Sequence, residues 1–333
     1  MPGRTDPSDE FAWIASLRAL TLGDRRALDL GDDAAVVPAR PGFDLVISKD
    51  AMVEGVHFLP DEDPEIIARR LLRTSLSDLA AKAAKPFGYF LMTAWPEGRN
   101  AAYRTAFRRG LEEDGRAFGV ALLGGDTVST SGPLTVCATV LGWAGAGKTV
   151  LRSGARDSDA AMVCGHIGDG WLGLQAALGE IADPSGALRD RYRLPTPLLA
   201  LRDALQESAV AAADVSDGLI ADLGHVAEAS RLGADIDLDA LPLSAEAEGW
   251  LGSQPDPANA RLALAIGGDD YAIVCAVPGD RLAGFIAAVQ AMAVPVVRIG
   301  TFGGAPGTRV SVGGRTIEAE RTGWRHSDPA SEV

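Results

Sequence analysis

The segment Val210-Ala-Ala-Ala213-Asp214-Val-Ser-Asp217-Gly218-Leu219 changes periodicity halfway along. Val210 to Ala213 is a short apolar run that reads as a strand. Leu219, Leu223 and Val226 then recur at helical spacing, in a helix expected to end at Gly233. The junction holds Asp214, Ser216 and Asp217. In α/β folds a strand C-terminus feeding a helix N-terminus is the usual place for ligand contacts. Ser216 and Asp217 also have a plainer reading, as helix caps. Asp214 fits that reading less well, because it lies between the apolar strand and the cap.

Related Asp-bearing signatures recur along the chain: Gly31-Asp32-Asp33, Ser48-Lys49-Asp50, Ser77-Asp78-Leu79, Gly124-Gly125-Asp126 and Gly267-Gly268-Asp269-Asp270. Carboxylates are hard oxygen ligands suited to Mg²⁺, which sits on one or two of them plus water and substrate phosphates. Glycine lets the backbone approach a ligand and take positive φ. Meeting in space, these pieces would form a cage for several Mg²⁺ ions carrying a polyphosphate. Each signature alone has a simpler explanation. Asp78 falls inside a helix and can pair with Lys82 at i+4. Asp33 and Asp126 follow glycine as turn residues do. His57, in Glu54-Gly-Val-His-Phe58, alone reads as a part-buried loop histidine.

The rest of the chain alternates in the same way. Asp44 to Ser48 reads as a buried strand. Asp63-Pro64 opens a helix, with Asp as N-cap and Pro at its first position. Ile67, Leu71, Leu72, Leu76 and Leu79 form its apolar face, and Pro86 is expected to stop it. Tyr89 to Trp95 is strand-like. Asn100 to Phe118 is a second helix, ending at Gly119, and Val120–Leu123 and Leu134–Trp143 are β-rich. After a Gly/Ser/Asp stretch from Gly145 to Asp159, a new strand starts at Ala160. Asp169–Glu180 and Thr196–Glu207 look helical. Strands at Tyr271–Val277 and Val294–Thr301 flank a helix near Arg281–Met292. The fold class is mixed α/β in two domains, residues 1–147 and 148–327, with a frayed tail over 328–333.

Bulk properties narrow the function. A chain of 333 residues is too long for one ordinary core. Its 47% hydrophobic and 23% charged content is that of a folded soluble protein. A net charge of −14 disfavours nucleic acid as a partner, yet admits small anions through metal ions. The three cysteines are far apart in apolar runs and read as buried thiols of a reducing cytoplasm. Met1–Glu10 is polar, unlike a signal peptide, and Ala283–Ile299 is too short and interrupted for a membrane span. Gly142-Trp-Ala-Gly-Ala-Gly147-Lys148-Thr149 formally matches a P-loop. A P-loop must open directly into a helix. Turn chemistry follows instead, so an interdomain turn is the preferred reading.

The order and wording of the signatures resemble the thiamine-monophosphate kinases of the aminoimidazole-ribonucleotide-synthetase-like superfamily. The matching pieces are Gly31-Asp-Asp-Ala-Ala35, Ser48-Lys-Asp50, Val53-Glu-Gly-Val-His-Phe58, Leu76-Ser-Asp-Leu-Ala-Ala81, Gly124-Gly-Asp-Thr127, Arg152-Ser-Gly-Ala155, Asp214-Val-Ser-Asp-Gly-Leu219 with Asp222-Leu-Gly-His225, and Gly267-Gly-Asp-Asp-Tyr271. They keep the family's order from residue 31 to residue 271. The resemblance implies that family's two-domain fold and a homodimer pairing its N-terminal sheets. It implies ATP-dependent phosphorylation of thiamine monophosphate to thiamine diphosphate. Carried over by position, Asp33, Ser48, Lys49, Asp50, Asp78, Asp126, Asp214 and Asp217 are Mg²⁺ ligands, Lys49 through its backbone carbonyl. Gly125, Asp126, Arg152 and Ser216 are ATP contacts. His57, Asp269 and Trp324 are substrate contacts, and Asp126, Arg152 and Asp217 are catalytic.

The chain departs from the family pattern in places. Lys49 replaces a usual Thr, adding a cation that touches phosphate or crowds a metal. Lys82 and Ala83 replace a Met-Gly pair. Asp269 and Ala272 replace the two Glu of Gly-Gly-Glu-Asp-Tyr-Glu. Two rivals stand beside this reading: another ATP-using enzyme of the superfamily, and, motivated by Asp269 and Ala272, a non-catalytic nucleotide- or thiamine-phosphate-binding protein.

Overall fold

The computed structural model describes residues 7–319 and 321–324. The tail expected over 328–333 lies outside the described residues. The chain forms two compact units, one of residues 1–79 and 84–147, the other of residues 80–83 and 148–333.

The first unit contains α1 (Pro7–Leu17), β1 (Phe43–Val53), α2 (Pro64–Ala81), β2 (Lys85–Pro96), α3 (Ala101–Phe118), β3 (Ala121–Thr130) and β4 (Thr135–Gly145). Its sheet has the order β1-β4-β2-β3. Strands β2 and β3 run parallel, and β4 is antiparallel to both β1 and β2. Asp63 caps α2 by accepting the Glu65 N–H at 2.8 Å. The stripe Ile67, Leu71, Leu72, Leu76 and Leu79 is fully buried. Asn100 caps α3 through the Tyr103 N–H, and Gly119 ends it in a left-handed conformation. Gly110 lets α3 approach α2, since a Cβ there would meet the Glu65 carbonyl at 2.2 Å. The buried Asp114 of α3 pairs with Arg69 and Arg73 of α2.

Two expectations change here, and the reading of the formal P-loop as a turn does not. The strand at Asp44–Ser48 exists within β1, but it is not buried: Leu45 is 41% and Ile47 57% exposed. It pairs with β4 on one side and is an edge. Pro86 does not stop α2. That helix ends at Ala81, Ala83 turns the chain with φ 54°, and Pro86 sits inside β2 where the ladder to β4 shifts register. A proline lacks the N–H a regular ladder needs, and a bulge tolerates it. The formal P-loop runs from β4 into irregular chain, and the next element is a strand at Ala160. No helix N-terminus follows Lys148 to hold phosphate.

The second unit contains β5 (Ala160–Cys164), α4 (Asp169–Leu178), α5 (Ala187–Arg193), α6 (Arg202–Ser208), β6 (Ala211–Asp214), α7 (Leu219–Ala229), β7 (Gly233–Asp237), α8 (Ala245–Gly252), α9 (Pro257–Ile266), β8 (Ile273–Val277), α10 (Leu282–Gln290), β9 (Val296–Phe302), β10 (Gly307–Val312) and β11 (Arg315–Ile317). The sheet order is β11-β10-β7-β9-β5-β8-β6. Every residue of β5, β6 and β8 is buried, as the apolar runs of β5, β8 and Ala211–Ala213 require. One face packs Leu219, Ile220 and Leu223 of α7, the other Leu205 of α6 and Phe285 of α10. Helix α7 stops at Ser230 rather than at Gly233. Arg231 turns with φ 59°, and Gly233 begins β7. All three cysteines are buried and free. Among the described residues no helix is long and apolar enough to cross a membrane.

Candidate active site

In the first unit the candidate residues divide between the two faces of the sheet. Side chains alternate along a strand, so Ser48 and Asp50 leave one face of β1 and Lys49 the other. The Ser48 hydroxyl donates to Asp78 Oδ2 on α2. Asp50 lies beside the same carboxylate. Burial first, and the Asp78 charge second, push Asp50 up to about 6, against a hydrogen bond from Ser75. The plain reading of Asp78, an exposed partner of Lys82, gives way: Asp78 faces Ser48, and Lys82 Nζ donates to the Ala212 carbonyl at 2.6 Å.

On the opposite face, Asp32, Asp33, Lys49, Gly124, Gly125 and Asp126 line a cavity of about 520 Å³. The Asp33 N–H bonds the Asp32 carboxylate at 2.8 Å and the Thr127 N–H bonds Asp126 at 2.9 Å. Lys49 Nζ reaches Cys137 Sγ at 2.8 Å. Glycine is required at position 125, because a Cβ would stand 1.9 Å from the Leu91 carbonyl oxygen. His57 Nδ1 accepts the Val53 N–H at 3.1 Å, which leaves the ring proton of the neutral form on Nε2.

In the second unit, β6 ends at the buried Asp214 and the chain turns through Val215–Gly218 into α7. Neither Ser216 nor Asp217 supplies the expected cap. Asp222, one turn inside α7, accepts the N–H groups of Ser216, Asp217 and Gly218 at 3.1, 3.1 and 3.2 Å. Burial and the nearby Asp217 charge raise Asp222 to about 7, although the Asp217 and Gly218 N–H groups and Arg152 pull it down. Asp217, Asp222 and His225 bring one ligand atom each within 4.8 Å of one another. Asp222 and His225 are additional candidates that the motif reading did not pick as site residues. Their signal was the i, i+3 spacing, which places both on one helix face.

Two further segments converge on Ser216–Asp217. The Asp269 N–H donates to the Ser216 carbonyl at 2.9 Å, and the Trp324 N–H to the Asp217 carbonyl at 2.9 Å. Gly268 and Asp269 both have positive φ, 73° and 61°. A Cβ on Gly268 would meet the Ser216 oxygen at 2.5 Å, so the approach needs glycine there. Tyr271 Oη holds Asp269 Oδ1 at 3.0 Å. Asp270 turns away and accepts the Gly168 and Gly170 N–H groups; burial pushes it well above the usual carboxylate range. Asp269 and Tyr271 border a second cavity of about 300 Å³ with His166, Asp169 and Arg191, none of them foreseen from sequence. Arg191 pairs with Asp169 at 3.2 Å and with Glu246 at 2.8 Å.

Comparison with known proteins identifies the family. Residues 31–144 match the AIR synthase related protein N-terminal domain, and residues 156–313 match its C-terminal domain. A thiamine-monophosphate kinase from Caulobacter vibrioides is 56% identical over 96% of this chain and 91% of its own length. The crystal structure of thiamine-monophosphate kinase from Stenotrophomonas maltophilia K279a superposes with a TM-score of 0.81 at 34% identity, covering 92% of this chain and 98% of that one. A solved structure described as AaThiL complexed with AMPPCP and TMP gives a TM-score of 0.76 at 28% identity, covering 89% of this chain and 91% of that one. The chain belongs to the thiamine-monophosphate kinase family, within the AIR synthase related proteins.

Proposed function

We propose that the protein transfers the γ-phosphoryl group of ATP to thiamine monophosphate, giving thiamine diphosphate and ADP. The relatives' names and the complex with AMPPCP and TMP support this activity. The structural observation that carries the reading is the pair Asp50–Asp78, with a hydroxyl from Ser48 on the second carboxylate. Neighbouring carboxylates repel, and burial together with the Asp78 charge raises Asp50 above the usual carboxylate range. A divalent cation relieves that repulsion, and the donor set is all hard oxygen, which fits Mg²⁺. The same argument applies to Asp217 and Asp222.

On this reading Asp33, Ser48, the Lys49 carbonyl, Asp50, Asp78, Asp126, Asp214 and Asp217 hold Mg²⁺, and Asp222 supports them. Bound there, Mg²⁺ supplies positive charge to the polyphosphate. Gly125, Asp126, Arg152 and Ser216 contact ATP, and the N-terminal domain carries most of the nucleotide and metal contacts. His57, Asp269 and Trp324 contact thiamine monophosphate. The acceptor is a phosphate whose second pKa is ~6, so its attacking oxygen is already largely deprotonated. No side chain needs to act as general base. One acceptor oxygen bonds the γ-phosphorus as the bond to the β–γ bridging oxygen breaks. The residues' work is to orient two anions in line and balance their charge. Arg152 contributes fixed positive charge, and Tyr271 holds the Asp269 carboxylate in place.

The homodimer belongs to the same proposal. Strand β1 is an edge whose Phe43, Leu45 and Ile47 are exposed, which suits sheet pairing with a second copy. A cytoplasmic location is consistent with free, buried thiols. The decisive experiment incubates the purified protein with ATP, thiamine monophosphate and Mg²⁺ and follows thiamine diphosphate by chromatography. Mg²⁺-dependent product is expected. Tight nucleotide binding without product, or a different phosphorylated product, would overturn the assignment.

A further inference from the structure

We propose that the Lys49 ammonium is a counter-ion built into the first unit's cavity, contacting a nucleotide phosphate directly. The proposal rests on the Mg·ATP reading above and adds to it a side chain that reading uses only through its backbone. Strand alternation sends Lys49 away from Ser48, Asp50 and Asp78 and onto the face of Cys137. There it shares the cavity of about 520 Å³ with Asp32, Asp33, Gly125 and Asp126. Its Nζ donates to Cys137 Sγ at 2.8 Å. A thiol is a weak acceptor, and an ammonium has three donors. Among the described residues no carboxylate lies within 4.0 Å of Nζ, although three line the same cavity. The ammonium therefore sits beside acids without being consumed by any of them.

A cavity walled by carboxylates repels a polyphosphate until cations enter it. Lysine binds phosphate as a compact point charge. Strand β1 is laddered to β4 along its whole length, so the root of this cation is fixed. The opposite possibility, that Lys49 crowds a metal ion, predicts the opposite sign: removing the ammonium would improve binding at low Mg²⁺. Direct phosphate contact predicts that removal weakens it.

The test compares wild type with Lys49→Met and Lys49→Arg. Titration calorimetry measures binding of a non-hydrolysable ATP analogue across a series of Mg²⁺ concentrations. At limiting Mg²⁺, Lys49→Met should bind about 10-fold more weakly and need several-fold more Mg²⁺ to recover, while Lys49→Arg keeps most of the affinity. Unchanged or tighter binding by Lys49→Met overturns the proposal. A measurement on the wild-type protein guards against a misfolded variant. Acetic anhydride labelling read by mass spectrometry should show Lys49 shielded by the analogue and Mg²⁺, and the exposed Lys148 not shielded. Equal labelling of Lys49 with and without the analogue also overturns it. Thiamine diphosphate formation without either effect sinks the role of Lys49 alone, whereas no product at all sinks the assigned reaction.

Discussion

Gly125→Ala tests whether backbone contact, rather than the carboxylates alone, sets the site. Gly125 faces Leu91 across the parallel ladder of β2 and β3. A Cβ at this position would lie 1.9 Å from the Leu91 oxygen, where contacts under 3.0 Å essentially do not occur. The strands must therefore part locally by roughly 1 Å, out of a normal spacing of about 4.8 Å. Overpacking of this kind costs about 1–3 kcal/mol. Asp126 is the next residue and moves with the strand. A misplacement of ~1 Å in a reacting assembly can cost about 100-fold in rate. The expected outcome is a modest drop in urea midpoint with a loss of roughly two orders of magnitude in kcat/KM for thiamine monophosphate. Gly124→Ala is the control. Its Cβ meets ring atoms of Phe90 at 3.1 and 3.2 Å, which a small ring rotation relieves. It should lose far less. A Gly125→Ala protein within twofold of wild type in both stability and kcat/KM would refute the reasoning.

Asp126→Asn and Asp217→Asn should each lower kcat by on the order of 100-fold or more while circular dichroism stays unchanged; near-normal kcat in both would sink the metal-binding assignment. Lys148→Ala should keep substantial activity, since no helix follows that residue, and complete loss would revive the P-loop reading. The metal-free protein should show a distinctive pH dependence. Asp222 is raised from 3.8 to about 7, so between those values the native state holds a proton that the unfolded chain has lost. Its contribution to stability therefore falls as pH rises, by about 1.4 kcal/mol per pH unit, and levels off above the raised value. Urea denaturation of wild type and Asp222→Asn at pH 5 and pH 7 measures this; identical slopes would contradict it.

Much of the fold was legible because the apolar spacing had one solution. The stripe from Ile67 to Leu79 and the all-apolar β5 and β8 bury as their patterns require. Leu45 and Ile47 of β1 look like core, and nothing in one chain's pattern says which strand ends up at an edge. The stop after α2 comes not from Pro86 but from Ala83 in a left-handed conformation, which alanine's chemistry does not advertise. The motifs named stretches that the structure brings together within each unit, Ser48, Asp50 and Asp78 in the first and Ser216, Asp217 and Asp269 in the second. What they did not give was the partition of Ser48, Asp50 and Asp78 from Lys49, although strand alternation contains it. Asp222 was overlooked because an Asp inside an amphipathic helix usually faces water. Here it is buried and folds back on the turn before it.

That fold-back has a consequence for anion recognition. The exposed N–H groups at a helix start normally form a ready seat for phosphate. In this protein an internal carboxylate, Asp222, already takes the N–H groups of Ser216, Asp217 and Gly218 in the turn that leads into α7. Free sulfate or phosphate should therefore compete poorly for that turn, whose donors are already paired within the chain.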